Sequence, residues 1–91
     1  MYRMVAIDNP YKGDSGSMSM ALWPNEKGEI QYEHNARPRV GAAMRVGSFR
    51  AGTMSTQDWW QTTIITDIIE DTPNRVLFRT KNTTYEWKYE D

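Results

Sequence analysis

The chain has no cysteine, a single histidine, and no uninterrupted apolar stretch approaching 18 residues. Without cysteine there can be no disulfide framework and no thiolate zinc site, and one histidine offers no ligand cluster. The apolar runs are too short for a transmembrane helix. The first residues, Met1 to Asp8, contain an acid and run into Asn9-Pro10, unlike the apolar centre of a secretion signal, so a cytoplasmic protein is expected. Charge of either sign is in little excess: 11 basic against 12 acidic side chains. That balance argues against tracking a nucleic acid backbone, which goes with a net basic domain. A 91-residue chain reads as one domain, 1–91. At this size folding buries only about 60 to 65% of the unfolded surface, so association into a homo-oligomer is a natural source of added stability.

What is present is β-forming. Seven of the eight residues from Thr62 to Ile69 are β-branched, which favours a strand from Trp60 to Glu70 although the isoleucine spacing also suits a helix. Asp71-Thr72-Pro73-Asn74 has turn chemistry. Val76, Phe78 and Thr80 then share one face of a second strand, Asn82-Thr83 suits a tight hairpin turn, and Tyr85, Trp87 and Tyr89 line one face of a third. Core packing is the expectation for that aromatic face.

The first half is less regular. Residues 1–40 read as strands and loops with a connecting arm at Asn35 to Val40, and 41–91 as a β-meander core. Tyr2 to Ile7 is a strand and Tyr11 to Ser17 a loop by composition. Met18, Met20 and Leu22 alternate with Ser19 and Ala21 in a half-buried strand, and Ile30 to Glu33 returns as its hairpin partner. Met44 to Arg50 is a further strand. About six short strands result, an all-β antiparallel barrel or curled sheet with SH3-like proportions. An α+β fold remains if Met18 to Leu22 or Ala42 to Val46 is helical.

Catalytic readings find little support. Gly13-Asp14-Ser15-Gly16 matches the segment around a protease serine, but a lone His34 cannot supply the oriented base and oxyanion hole that chemistry needs, so a flexible loop is expected. His34 reads as a surface residue near a hairpin end. Asp67, Glu70 and Asp71 lack a complementary base or phosphate loop and read as solvated acids. No metal or other cofactor is expected, and no enzyme.

The aromatic and arginine content is the stronger lead. Four tryptophans accompany Arg37, Arg39, Arg45 and Arg50, a segment without acids, and Trp and Arg dominate binding hot spots. In extended backbone Trp59 and Trp60 point to opposite faces, so one can enter the core while the other is displayed. The candidate binding residues are Arg45, Arg50, Trp59, Trp60 and Arg79. They could form a patch that docks on a protein, or a pocket for a small nucleotide with a base stacked on indole and phosphate held by guanidinium.

Arg45-Val46-Gly47-Ser48, Ser55 to Thr63 and Phe78 to Tyr85 together resemble short proteins carried by bacteriophages and prophages. The resemblance covers the C-terminal half. It implies a setting in which small non-catalytic proteins disable host defence, either as anti-CRISPR-like inhibitors that occlude an effector protein or as oligomers that sequester a nucleotide signal. The near-neutral charge departs from strongly acidic DNA mimicry.

Overall fold

The computed structural model describes residues 1–48 and 59–90. Among the described residues every regular element is a strand: β1 (Tyr2–Ala6), β2 (Asn9–Gly16), β3 (Met18–Pro24), β4 (Ile30–His34), β5 (Ala43–Gly47), β6 (Trp59–Gln61), β7 (Ile65–Thr72), β8 (Arg75–Thr80) and β9 (Thr84–Tyr89). They form two antiparallel sheets, ordered β2-β1-β9-β8-β7 and β4-β3-β5-β6. The fold is therefore all-β, with more strands than the sequence suggests. Both segments held open as helices are strands, β3 and β5.

Two connections curl the sheets into a partly closed barrel. At one side the chain passes almost directly from β2 into β3 through Ser17, with Gly16 pressed on the Gly47 backbone so closely that a Cβ there would overlap the Gly47 carbonyl. At the other, the Gly41 N–H donates to the Ile65 carbonyl (3.0 Å) and the Ile65 N–H to the Ala42 carbonyl (2.9 Å), stitching the start of β7 to the approach of β5.

Between the sheets lie Met4, Ala6, Ala21, Met44, Val46, Ile65, Val76, Phe78, Tyr85 and Trp87. Tyr85 and Trp87 pack inward as their alternation predicts, with Tyr85 stacked on Phe78 at 5.5 Å between ring centroids. One polar chain crosses this core. The Trp87 indole N–H donates to Ser19 Oγ (3.0 Å), the Ser19 hydroxyl donates to the Ala36 carbonyl (2.9 Å), and the Ala36 N–H donates to the Ser19 carbonyl (3.1 Å). Segment 35–42 is thereby held as a strap across one end of the barrel. Arg37 stacks over Trp87 at 5.4 Å and donates to the Thr72 and Pro73 carbonyls and to Asp71. Arg37 and Asp71 thus pair at this point.

Several sequence expectations are corrected. Tyr11 to Ser17 is mostly strand β2, not loop: the Met4 backbone runs so close to Gly13 that a side chain could not fit, a reason for glycine that composition alone misreads as flexibility. The Gly-Asp-Ser-Gly tetrapeptide is therefore ladder-bound against β1. The run from Trp60 to Glu70 is two strands in different sheets, broken at 62–64, where buried Thr62 accepts the Met44 N–H on Oγ1 (3.0 Å) and donates to the Thr63 carbonyl (2.7 Å). The last hairpin turns on Lys81-Asn82, one residue earlier than expected, because the Thr80 N–H donates to the Thr83 carbonyl (2.8 Å). Strand β5 spans Ala43–Gly47; Ser48 lies beyond its end, and positions 49–50 of the expected strand lie outside the described residues.

In β3 the expected alternation is present, and the structure decides its faces: Ser19 and Ala21 turn to the core, at 1% and 0% exposure, while Met18, Met20 and Leu22 face outward. Replacing Ser19 by Ala leaves the Trp87 indole and the Ala36 carbonyl without partners, each costing about 1–3 kcal/mol when buried. A Ser19→Ala variant is expected to lose roughly 2–4 kcal/mol in urea unfolding, and a loss below about 0.5 kcal/mol would show that the chain does not hold the sheets together.

Candidate functional site

Strand register places Met18, Met20, Leu22 and Pro24 of β3, Ile30, Tyr32 and His34 of β4, Ala43 and Arg45 of β5, and Trp59 and Gln61 of β6 on one face, turned away from the core. Among the described residues of this face, Arg45 supplies the permanent charge. Met20 is 8% exposed, closed in by its neighbours, whereas Ile30 and Tyr32 are 61% and 63% exposed. The result is a broad apolar surface, the kind that marks an interaction site when exposed.

Arg45 and Trp59 form its polar centre. The Arg45 guanidinium lies 4.1 Å from the Trp59 ring centroid and donates from Nε (3.0 Å) and NH2 (2.7 Å) to Gln61 Oε1. Both residues are half-buried, and burial holds the arginine below its ordinary pKa while leaving it charged. A stacked, partly desolvated guanidinium fixed by a side-chain amide is pre-organised: its planar fork can meet a carboxylate or carbonyl without first losing rotamer freedom.

The five candidates separate by position. Arg45 and Trp59 come together on the outer face. Trp60, next in sequence, points the other way: its Nε1–H donates to the Tyr85 hydroxyl (3.2 Å) and its ring packs on the core. Arg79 lies on the exposed side of β8 in the other sheet, opposite Asp67. Arg50 lies outside the described residues. Sequence reasoning missed Met18, Leu22, Ile30 and Tyr32, although the small inward residues Ser19 and Ala21 between large ones are a signal that the apolar side of β3 need not be its core side.

The outer face of the five-stranded sheet is different in kind. Arg75 bonds Glu86 through Nε (2.6 Å) and Glu70 through NH1 (3.0 Å), and Lys88 reaches Glu86 at 3.5 Å. These hydrogen bonds raise the Arg75 pKa above its ordinary value. For Glu86, partial burial pushes upward, but the Arg75 hydrogen bond and the Lys88 and Arg75 charges outweigh it and hold the carboxyl below its ordinary value. This is a solvated lattice of mixed sign. His34 is exposed at the end of β4, and among the described residues no group of three or more His, Asp or Glu is placed to hold a metal ion.

Two surface clefts flank these faces. One, of about 510 Å³, is lined by Arg79 with Ile7, Asp8 and the Lys81 to Thr84 turn; another, of about 520 Å³, by Ser17, Met18, Ser19, His34 and Asn35. Neither includes a tryptophan on which a base could stack. Comparison with protein-family models, with curated proteins and with solved structures gives no match.

The depressed Glu86 pKa sets a pH dependence. Its stabilisation is present above the ordinary value of 4.5 and is lost as pH falls through the lower folded value. Glu86→Gln is therefore expected to be less stable than the wild type near neutrality, with the gap closing in urea titrations as pH falls below 4.5 and through the lower folded value. A gap independent of pH would remove the ion pair from the account.

Proposed function

We propose that this is a small non-catalytic binding protein that acts by occlusion, laying the outer face of the β4-β3-β5-β6 sheet on a protein partner. The setting that fits its C-terminal resemblance is phage-borne inhibition of a host defence protein, in the host cytoplasm. The observation that carries the reading is the contrast between the two outer faces. Among the described residues, one is a lattice of paired charges, and the other is apolar around a single stacked arginine. Interfaces have this anatomy: few charges at the centre, aromatic and methionine side chains around them, and an arginine anchor. The partner surface is apolar with an acidic or carbonyl group opposite Arg45. The sequestration alternative has less support, since Trp60 is committed to the core and the cleft beside Arg79 lacks an aromatic wall.

Affinity capture from host-cell lysate, followed by titration of the recovered partner with purified variants, tests this. Trp59→Ala and Arg45→Ala should each weaken binding by about tenfold or more while the fold is retained, because truncating a central anchor typically costs over 1 kcal/mol. Arg79→Ala should bind as wild type. Loss of binding on replacing Arg79, with Trp59→Ala unaffected, would move the site to the other sheet.

A further inference from the structure

Among the described residues four strands lie at sheet edges, and three of them are unsuited to pairing with another chain. Strand β2 contains Pro10, has a register shift opposite Val5 and Ala6, and packs against β5 and β6. Strand β7 carries two register shifts and the acids Asp67, Glu70 and Asp71. Strand β6 is three residues long. Such bulges, prolines, charges and short lengths are how edges are kept from pairing. Strand β4 has no proline and no register shift, and its one charge, Glu33, is paired with Arg39: Ile30-Gln31-Tyr32-Glu33-His34 runs in unbroken register with β3, and all five residues are exposed.

The direction of its backbone groups follows from the hairpin. The Asn25 N–H donates to the Glu29 carbonyl (2.8 Å), making that a hydrogen-bonded pair. Antiparallel alternation then turns Gln31 and Glu33 toward β3 and leaves the N–H and C=O groups of Ile30, Tyr32 and His34 facing the open edge. Pro24, which lacks an N–H, stands opposite Ile30 at a position where β3 makes no bond to β4, in agreement with this phase.

The geometry points to a homodimer formed by antiparallel pairing of β4 with β4 of a second copy, about a two-fold axis through Tyr32. The edge is self-complementary in that register. Tyr32 meets Tyr32, and Ile30 meets His34, each at a position where both residues present free edge groups and can exchange two hydrogen bonds. On the inner side Gln31 meets Glu33 of the second copy, an amide opposite a carboxylate rather than two like charges. On the outer side Tyr32 already stands edge-on to His34 at 5.4 Å, so pairing extends a row of rings across the axis. The two four-stranded sheets join into one, with a copy of Arg45 and Trp59 on each side. The dimer stands independently of the docking reading, and it would double that surface. A five-residue edge is shorter than a standard interface, so the affinity is expected in the micromolar range or weaker.

The test is amide hydrogen exchange by NMR with sedimentation equilibrium on the full chain over rising concentration. Exchange at Ile30, Tyr32 and His34 should slow as dimer forms, while Gln31 and Glu33 are slow throughout. A monomer at millimolar concentration, a dimer with protection confined to other residues, or a bound foreign strand in place of a second copy would overturn the proposal. Tyr32→Pro removes the ring on the axis and, from the backbone, only an N–H that faces the open edge, a position where proline is tolerated, and should weaken the dimer by about tenfold or more. Gln31→Lys places a cation opposite Glu33 of the second copy and should tighten the dimer by about two- to fivefold. If Tyr32→Pro does not fold, an unchanged or weakened Gln31→Lys dimer is itself contrary to the proposal.

Discussion

A single hydroxyl sets much of this structure. Ser19 Oγ sits between the Trp87 indole and the Ala36 carbonyl, so it joins β3 of one sheet to β9 of the other and to the strap that follows β4. Each of those groups is buried and needs a partner. Because strand side chains alternate strictly, turning Ser19 inward forces Met18, Met20 and Leu22 outward. The apolar outer surface is thus a consequence of how the core is satisfied. A slip of one residue in β3 would turn Met18 and Met20 toward the core and leave Trp87 without an acceptor.

Charge completes the separation of the two surfaces. The strap arginine Arg37 is consumed by the β7–β8 turn and Trp87, and Arg39 lies 4.2 Å over the Trp23 ring while bonding Glu33. In the five-stranded sheet Arg75 bonds Glu70 and Glu86, and Lys88 reaches Glu86. Arg45 instead bonds the neutral Gln61 and stacks on Trp59, keeping its charge uncompensated by these two neighbours. A cation so placed on an apolar face favours a partner with a complementary group and penalises one without it.

The C-terminal meander was legible in the sequence because its signals are local. Alternation over Val76, Phe78, Thr80 and over Tyr85 and Trp87 translates directly into a buried face, and Pro73-Asn74 ends the preceding strand. The opposed faces of Trp59 and Trp60 also follow from adjacency in a strand, though not which of the two is inside. That depends on Tyr85, whose hydroxyl accepts the Trp60 N–H from 25 residues away. The break at Thr62 and the strand character of Tyr11 to Gly16 were not legible for a similar reason: each is decided by a distant backbone segment, Met44 in one case and Met4 in the other. Alternation in β3 does not say which face is inward, since hydrophobicity ranks methionine above serine, whereas Ser19 accepts the buried Trp87 indole N–H.

The most direct test of this account is paramagnetic relaxation by a soluble gadolinium chelate, read at the methionine methyls and tryptophan indoles. Strong relaxation of Met18 and Trp59, with Met4, Met44 and Trp87 protected, is the predicted pattern. Protection of Met18 together with relaxation of the Trp87 indole would mean that β3 presents its other face, and the docking surface would not exist as described.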